Sequence, residues 1–294
     1  MVSLELVVQA IIDGLTLGLI YAIAALGLSL AFGVMHVINV AHGDFIILSA
    51  FLIYWFLLIL GSQSIALALL VAIPTIIILA SLGYMIQRFL VNRIIEGPPL
   101  STLLFFFGFM ILMPNLMIIL FGPFTRTLII PELAFSYEIL GVKLSASRLF
   151  SLLMASFVIV LTLALLYRTR IGMAIRATAQ NREAASICGI DIKNAYSMTL
   201  AVAFALASLS GLLIGLNFAF APTHGPIYTL LSFFVVVLGG MGYPPGTILA
   251  GLILGLAQTL ISTFLGTTFV YAFVFLLLYL ILLLRPRGLL GRGI

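Results

Sequence analysis

Between residues 7 and 32 the chain runs 26 residues with one charged side chain, Asp13. Similar apolar runs recur at residues 46–60, 65–86, 100–121, 148–167, 195–219, 227–238, 247–264 and 269–284. A helix needs about 20 apolar residues to cross a hydrocarbon core of ~30 Å. These runs lack the alternation of a barrel strand, so helices are the form that satisfies their backbone in lipid. Only 7% of the residues are charged and the mean hydropathy is +1.36. A soluble domain carries roughly 25% charged residues, and this chain could not cover a water-facing surface. The sequence predicts an all-α, polytopic membrane helical bundle. It has about nine transmembrane segments, within a range of roughly eight to ten because two runs are short.

Charge sets the expected orientation. Residues 87–99, 168–194 and 285–294 hold 10 of the 13 Lys and Arg residues, which assigns all three to the cytoplasm. The 122–147 stretch, where Arg126 and Lys143 offset Glu132 and Glu138, falls outside. Alternation then puts the N-terminus outside and the C-terminus in the cytoplasm, as one transmembrane domain over 1–294. The net charge of +5 is spread over separate loops; it reads as a topology signal and not as a nucleic-acid footprint. The acidic N-terminus, with Glu5 and Asp13 and no basic residue before the first run, differs from a signal peptide.

Several chemistries are missing. Cys188 is the lone cysteine, and His36, His42 and His224 are too scattered for a metal site. No cofactor is expected. The chain has no Gly-x-x-x-x-Gly-Lys-Ser/Thr loop, and neither Lys143 nor Lys193 follows a glycine. Carboxylates near the spans are few, chiefly Asp13 and Asp44, so energy for any transport is expected from another subunit.

Two polar breaks stand out. The first, Asn39-Val40-Ala41-His42-Gly43-Asp44-Phe45, precedes a short run; the second contains Gly239, Gly240 and Gly242. Irregular backbone at membrane depth must face protein or a water-filled cavity. Paired interruptions in the two halves of a transporter point to a pathway. Asn39, His42, Gly43, Asp44, Gly239, Gly240 and Gly242 are the candidate pathway residues. Asp44 equally suits a helix N-cap, and the likeness of the two breaks equally suits chance in an apolar sequence. The turn Ala221-Pro222-Thr223-His224-Gly225-Pro226 is placed outside, as a plain turn or a contact for a solute-delivery protein. Three Gly-x-x-x-Gly pairs, Gly14/Gly18, Gly211/Gly215 and Gly251/Gly255, predict close helix packing.

Seven of the 21 charged residues lie in the 168–194 loop. It contains Glu183-Ala184-Ala185, three residues, then Gly189. A short helix is expected from about residue 178 to 188. Ala184, Ala185, Ile187 and Cys188 give it an apolar side, and Arg176, Arg182 and Glu183 polar ends. Such a helix suits a groove on a partner or a membrane surface.

The run GLTLGLIYAIAALGLSLAFGVMHVINVAHGDF resembles the N-terminal signature of permease subunits of bacterial branched-chain amino acid ABC importers. RTRIGMAIRATAQNREAASICGIDIKNAY resembles that family's cytoplasmic loop, and VVVLGGMGYPPGTILAGLILGL its Gly-rich C-terminal element. Glu-Ala-Ala-x-x-x-Gly also resembles the signature by which importer permeases contact their ATPases, although no Leu-Pro follows Gly189. The resemblance implies a transport subunit that is not itself an enzyme, in a bacterial or archaeal plasma or inner membrane. Its implied partners are ATP-binding cassette subunits, a second related permease, an extracytoplasmic solute-binding protein and membrane lipid. The implied solute is a branched-chain or related amino acid, moved by alternating access. Arg176, Arg182, Glu183, Ala184, Ala185 and Gly189 are the implied ATPase-coupling residues. The alternatives are a sugar-type, urea or amide importer permease, or a self-sufficient secondary transporter or channel.

Overall fold

The computed structural model describes residues 4–139, 142–285 and 288–290. Among them, nine helical segments are long and apolar enough to cross a membrane. The chain opens with α1 (Leu4–Met35), α2 (His42–Ile59) and α3 (Ile65–Met85). A π-helical turn, Ile86–Val91, and a single turn, α4 (Asn92–Ile94), prolong α3, and α5 (Pro99–Phe121) follows. After a hairpin of β1 (Ser136–Ile139) and β2 (Val142–Ser145) come α6 (Ala146–Arg168), α7 (Arg170–Gln180), α8 (Arg182–Ile187) and α9 (Ile192–Asn217). The last helices are α10 (Gly225–Gly239), α11 (Pro244–Phe264) and α12 (Val270–Leu284).

Three boundaries differ from those expected. The 87–99 loop is largely helix, because Gln87 is buried and bonds Asn92, and Asn92 in turn bonds the Lys193 carbonyl. As expected of the runs 65–86 and 100–121, Pro74 and Pro114 lie inside α3 and α5; a chain in lipid has no water to take the freed carbonyls of a broken helix. The 122–147 stretch contains the two-stranded hairpin, in which Glu138 lies opposite Lys143. The short run at 46–60 begins four residues earlier, at His42.

The helices differ in burial. Most of α1 and α9 is enclosed, whereas α5 and α12 are largely exposed. A helix apolar all round must be enclosed by other helices or by lipid, and here the first two lie at the centre and the last two at the rim. Glycines let the central helices touch by their backbones. A Cβ on Gly18 would lie 2.7 Å from Leu252 Cα and 2.9 Å from the Gly251 carbonyl. Gly255 presses back on Gly18 and Gly14, so two of the three Gly-x-x-x-Gly pairs are partners of one another. The third joins different neighbours: Gly211 meets the Ile46 carbonyl of α2, and Gly215 meets Leu128. Hydroxyl and amide side chains add bonds across the same seams, Tyr21 to Gln258, Thr247 to Ser29 and Ser49 to the Ser208 carbonyl.

The helix ends gather on two faces. On one, Asp13 of α1 pairs with Arg148 of α6, and Glu132 accepts from the Ile65 amide at 2.7 Å. There Arg126 and Phe220 exchange both backbone bonds. On the other, Tyr84 of α3 bonds Asn194, and Arg176 donates to the Leu166 carbonyl at 3.0 Å. Most of the described basic residues lie on this second face.

Replacing Gly18 or Gly255 by Leu is expected to wedge α1 from α11, a loss of about 1–3 kcal/mol or more for overpacking. The thermal midpoint of the detergent-purified protein checks it. The same change at Gly108, where an added Cβ meets nothing within 4 Å, should leave that midpoint within error of the parent.

Candidate functional site

The first break ends deep in the bundle. The His42 ring donates Nε2–H to the Ala24 carbonyl at 2.8 Å, a point on α1 roughly 16 Å short of that helix's end. α2 therefore begins deep within the bundle, beside the interior of α1. Ala41 is its N-cap residue, with no side-chain cap bond, so Asp44 does not cap α2. Asn39 turns the chain by accepting from the Ala41 amide at 3.1 Å, and its own Nδ2 is buried without a partner.

The segment that meets this break is the start of α10. The Gly43 amide donates to Thr229 Oγ1 at 2.8 Å. A Cβ on Gly43 would strike the Gly225 carbonyl, and one on Gly225 would strike the Asp44 carboxylate. Pro222–His224 form one 3-10 turn leading down to this crossing, held by the Ala221 amide on His224 Nδ1 at 3.3 Å. Pro222 and Gly225 are buried. The turn expected on the outside thus folds inward, because Gly225 leaves room for Asp44. Two helix N-termini, each with partial positive charge, cross beside a carboxylate whose two oxygens are buried and unbonded. A cavity of about 380 Å³ lies against the crossing, lined by Leu28, Asn39, Met110, Thr229, Leu230 and Phe233 among others.

The second break sits elsewhere. Gly239 is ten residues past Thr229, roughly 15 Å along α10. It packs on Gly246, Gly242 on Gly33, and Gly288 on Gly240. The Leu289 amide donates to the Leu238 carbonyl at 2.8 Å. The structure does not bring Gly239, Gly240 and Gly242 together with Asn39, His42, Gly43 and Asp44; backbone closes over the second break, whereas a cavity adjoins the first.

The polar loop folds as two helices where one was expected. Residues 178–180 belong to α7, and Asn181 breaks the helix and starts α8, its Oδ1 accepting from the Glu183 and Ala184 amides at 2.9 Å. Thr169 and Asp191 cap α7 and α9 in the same way. Asn and Asp favour such local bonds over a helix interior. Gly189, at φ +87°, closes α8: its amide bonds the Ser186 carbonyl and the Ile190 amide the Ala185 carbonyl, a left-handed helix ending. On α8 only Ala185 faces inward; Arg182, Glu183 and Ala184 are exposed, and Ile187 is 87% exposed. The expected apolar side is therefore divided. Arg176 folds back, stacking on Tyr167 and bonding α6.

A family model described as branched-chain amino acid transport system / permease component matches residues 10–284. The chain belongs to this family. It is 30% identical to the high-affinity branched-chain amino acid transport system permease protein BraD of Pseudomonas aeruginosa, over 97% of this chain and 95% of the relative. It is 31% identical to the corresponding permease protein LivH of Escherichia coli, with the same coverage. In three dimensions it resembles a chain of PsaBC from Streptococcus pneumoniae in complex with Fab, at TM-score 0.50 and 13% identity, over 91% of this chain and 90% of that one. That likeness bears on the fold alone. As a member of the permease family the chain is a multi-pass inner-membrane transport protein of the ABC class.

Sequence reasoning missed Gly225 and Thr229 as the counterparts of the first break. The signal was present in Thr223-His224-Gly225-Pro226, a glycine followed by proline at the first turn of a helix.

Gly189→Ala should weaken the α8 ending by about 1–2 kcal/mol, the cost of a left-handed Cβ, and Gly189→Asn by less. Amide exchange over residues 182–190 of the purified permease is the measurement, with faster exchange for Ala than for Asn.

Proposed function

We propose that this chain is the membrane-spanning subunit of an ATP-driven importer for branched-chain or related amino acids. Residues 1–294 act as one permease domain, N-terminus outside and C-terminus cytoplasmic. Partner ATP-binding cassette subunits supply the energy, a second related permease completes the pore, and an extracytoplasmic binding protein delivers the solute. The solute class rests on kinship with the branched-chain amino acid permeases.

The observation that carries the mechanism is the course of α9. This helix of 26 residues, roughly 39 Å long, starts beside α8 on the basic face. It runs to Ser208 and Gly211, which hold α2 through Ser49 and Ile46. A push on the coupling residues Arg182, Glu183, Ala184, Ala185 and Gly189 thus has a rigid path to α2, whose first turn carries Asp44. Arg176 positions α7 against α6 on the way. A ligand or partner moves such an equilibrium only by binding its two states unequally; closed ATPases would favour one arrangement of α8.

The solute route passes the cavity beside Asn39, His42, Gly43 and Asp44. Its apolar wall suits a branched side chain, and the two helix N-termini suit a carboxylate. Gly239, Gly240 and Gly242 form the inner end of the route, sealed in this structure by Gly33 and Gly288.

The test is thiol labelling of Asn39→Cys and Thr229→Cys in a Cys188→Ser background of the assembled transporter. Both positions should react with a small maleimide, and leucine with the binding protein should slow the reaction severalfold. Absence of protection at both would remove the pathway assignment. Arg182→Glu should reduce ATPase co-purification; intact assembly and leucine uptake would remove the coupling assignment.

A further inference from the structure

Beside α8 lies a hollow of about 390 Å³ that the coupling helix forms only in part. Its other walls are the end of α4, with Asn92, Ile95 and Glu96, and the start of α9, with Ile192, Lys193 and Tyr196. Its floor is apolar: Tyr196 is buried and Ile95 and Ile192 are half-buried. Its rim carries both signs of charge, Glu96 and Glu183 against Arg182 and Lys193, all exposed. None of the four makes an ion pair among the described residues. Ile187, the most exposed large apolar residue described, stands at the mouth.

An apolar floor within a polar rim is the anatomy of an anchor pocket in a protein interface. Lipid is a poor occupant, since four charged side chains would have to be desolvated against acyl chains. A protein partner with charges of both signs could meet all four at the rim. We infer that this hollow is a socket for a large apolar or aromatic side chain of the ATPase subunit, and that residues Asn92–Glu96 at the end of α3 and α4 are its second wall. Ile187 inserts in the opposite direction, into the ATPase. The inference rests on the coupling role proposed for α8 and adds to it. A side chain seated between α8 and the α4 end clamps the coupling helix to both α3 and α9. Those two helices already pack closely at Gly83, where a Cβ would lie 2.8 Å from the Leu200 carbonyl.

Thiol protection separates the socket from the coupling role. Ile95→Cys and, as a rim position tolerant of change, Glu96→Cys are made with Cys188→Ser. Maleimide rates are measured in nanodiscs for the permease alone and for the assembled transporter, with the native Cys188 followed in the unsubstituted protein. The expected result is labelling about tenfold slower at both engineered positions only when the ATPase is present, as water is excluded from an anchored contact. Equal rates in the two samples at both positions, with Cys188 protected, overturn the socket and leave the coupling role of α8 standing. Equal rates at all three positions overturn both. Protection that is already complete in the permease alone assigns the hollow to lipid and also overturns the socket.

Discussion

Everything in this bundle depends on backbone meeting backbone along α1. In lipid the apolar effect that drives helices together in water is absent, and association comes from close packing and a few polar bonds. Gly14 and Gly18 bring α1 onto α11, Gly27 brings it onto α9 at Ala203, and Gly33 onto the turn at Gly242. Each contact needs the absence of a side chain. The remaining helices then have a fixed post to pack on, and the outer ones expose their apolar faces where lipid would lie. Tyr21, Ser29 and His42 add directional bonds to the same post, which fixes rotation about the axis as well as distance.

From that post follows the depth at which α2 starts. His42 is tied to Ala24, so the helix N-terminus is held inside the bundle and meets the N-terminus of α10 at Gly43 and Gly225. An unbonded carboxylate so far from water is costly, and the two helix ends are the nearest compensation. The arrangement places a carboxyl group, a cavity and two helix starts within one region, and α9 packs between that region and the basic face.

The local structure of the first break and of the end of α8 was legible in sequence, for identifiable reasons. The break at Asn39–Asp44 shows because a polar interruption between apolar runs has one placement in a membrane: against protein or a water-filled cavity. The Glu183-to-Gly189 spacing shows because a helix ending needs a left-handed residue, and glycine supplies it. The division of α7 from α8 was missed although Asn181 was visible, since Asn inside an apparent helix differs from Asn at a cap only by the bonds it makes. Arg176 was grouped with the residues implied to couple because charge alone does not show that it stacks on Tyr167.

The sequence alone determined the helical class, the approximate span count, the two polar breaks and the basic loop that marks one face. These follow from local quantities: run length, charge per segment and glycine spacing. Tertiary structure alone decided which elements meet. It paired the first break with Gly225 and Thr229 and not with the second glycine-rich turn. It matched two of the glycine pairs to each other, and it built a hollow from residues 92–96 and 182–196. Contacts across a hundred or more residues depend on how whole helices stack, and that stacking leaves no periodic trace in the chain.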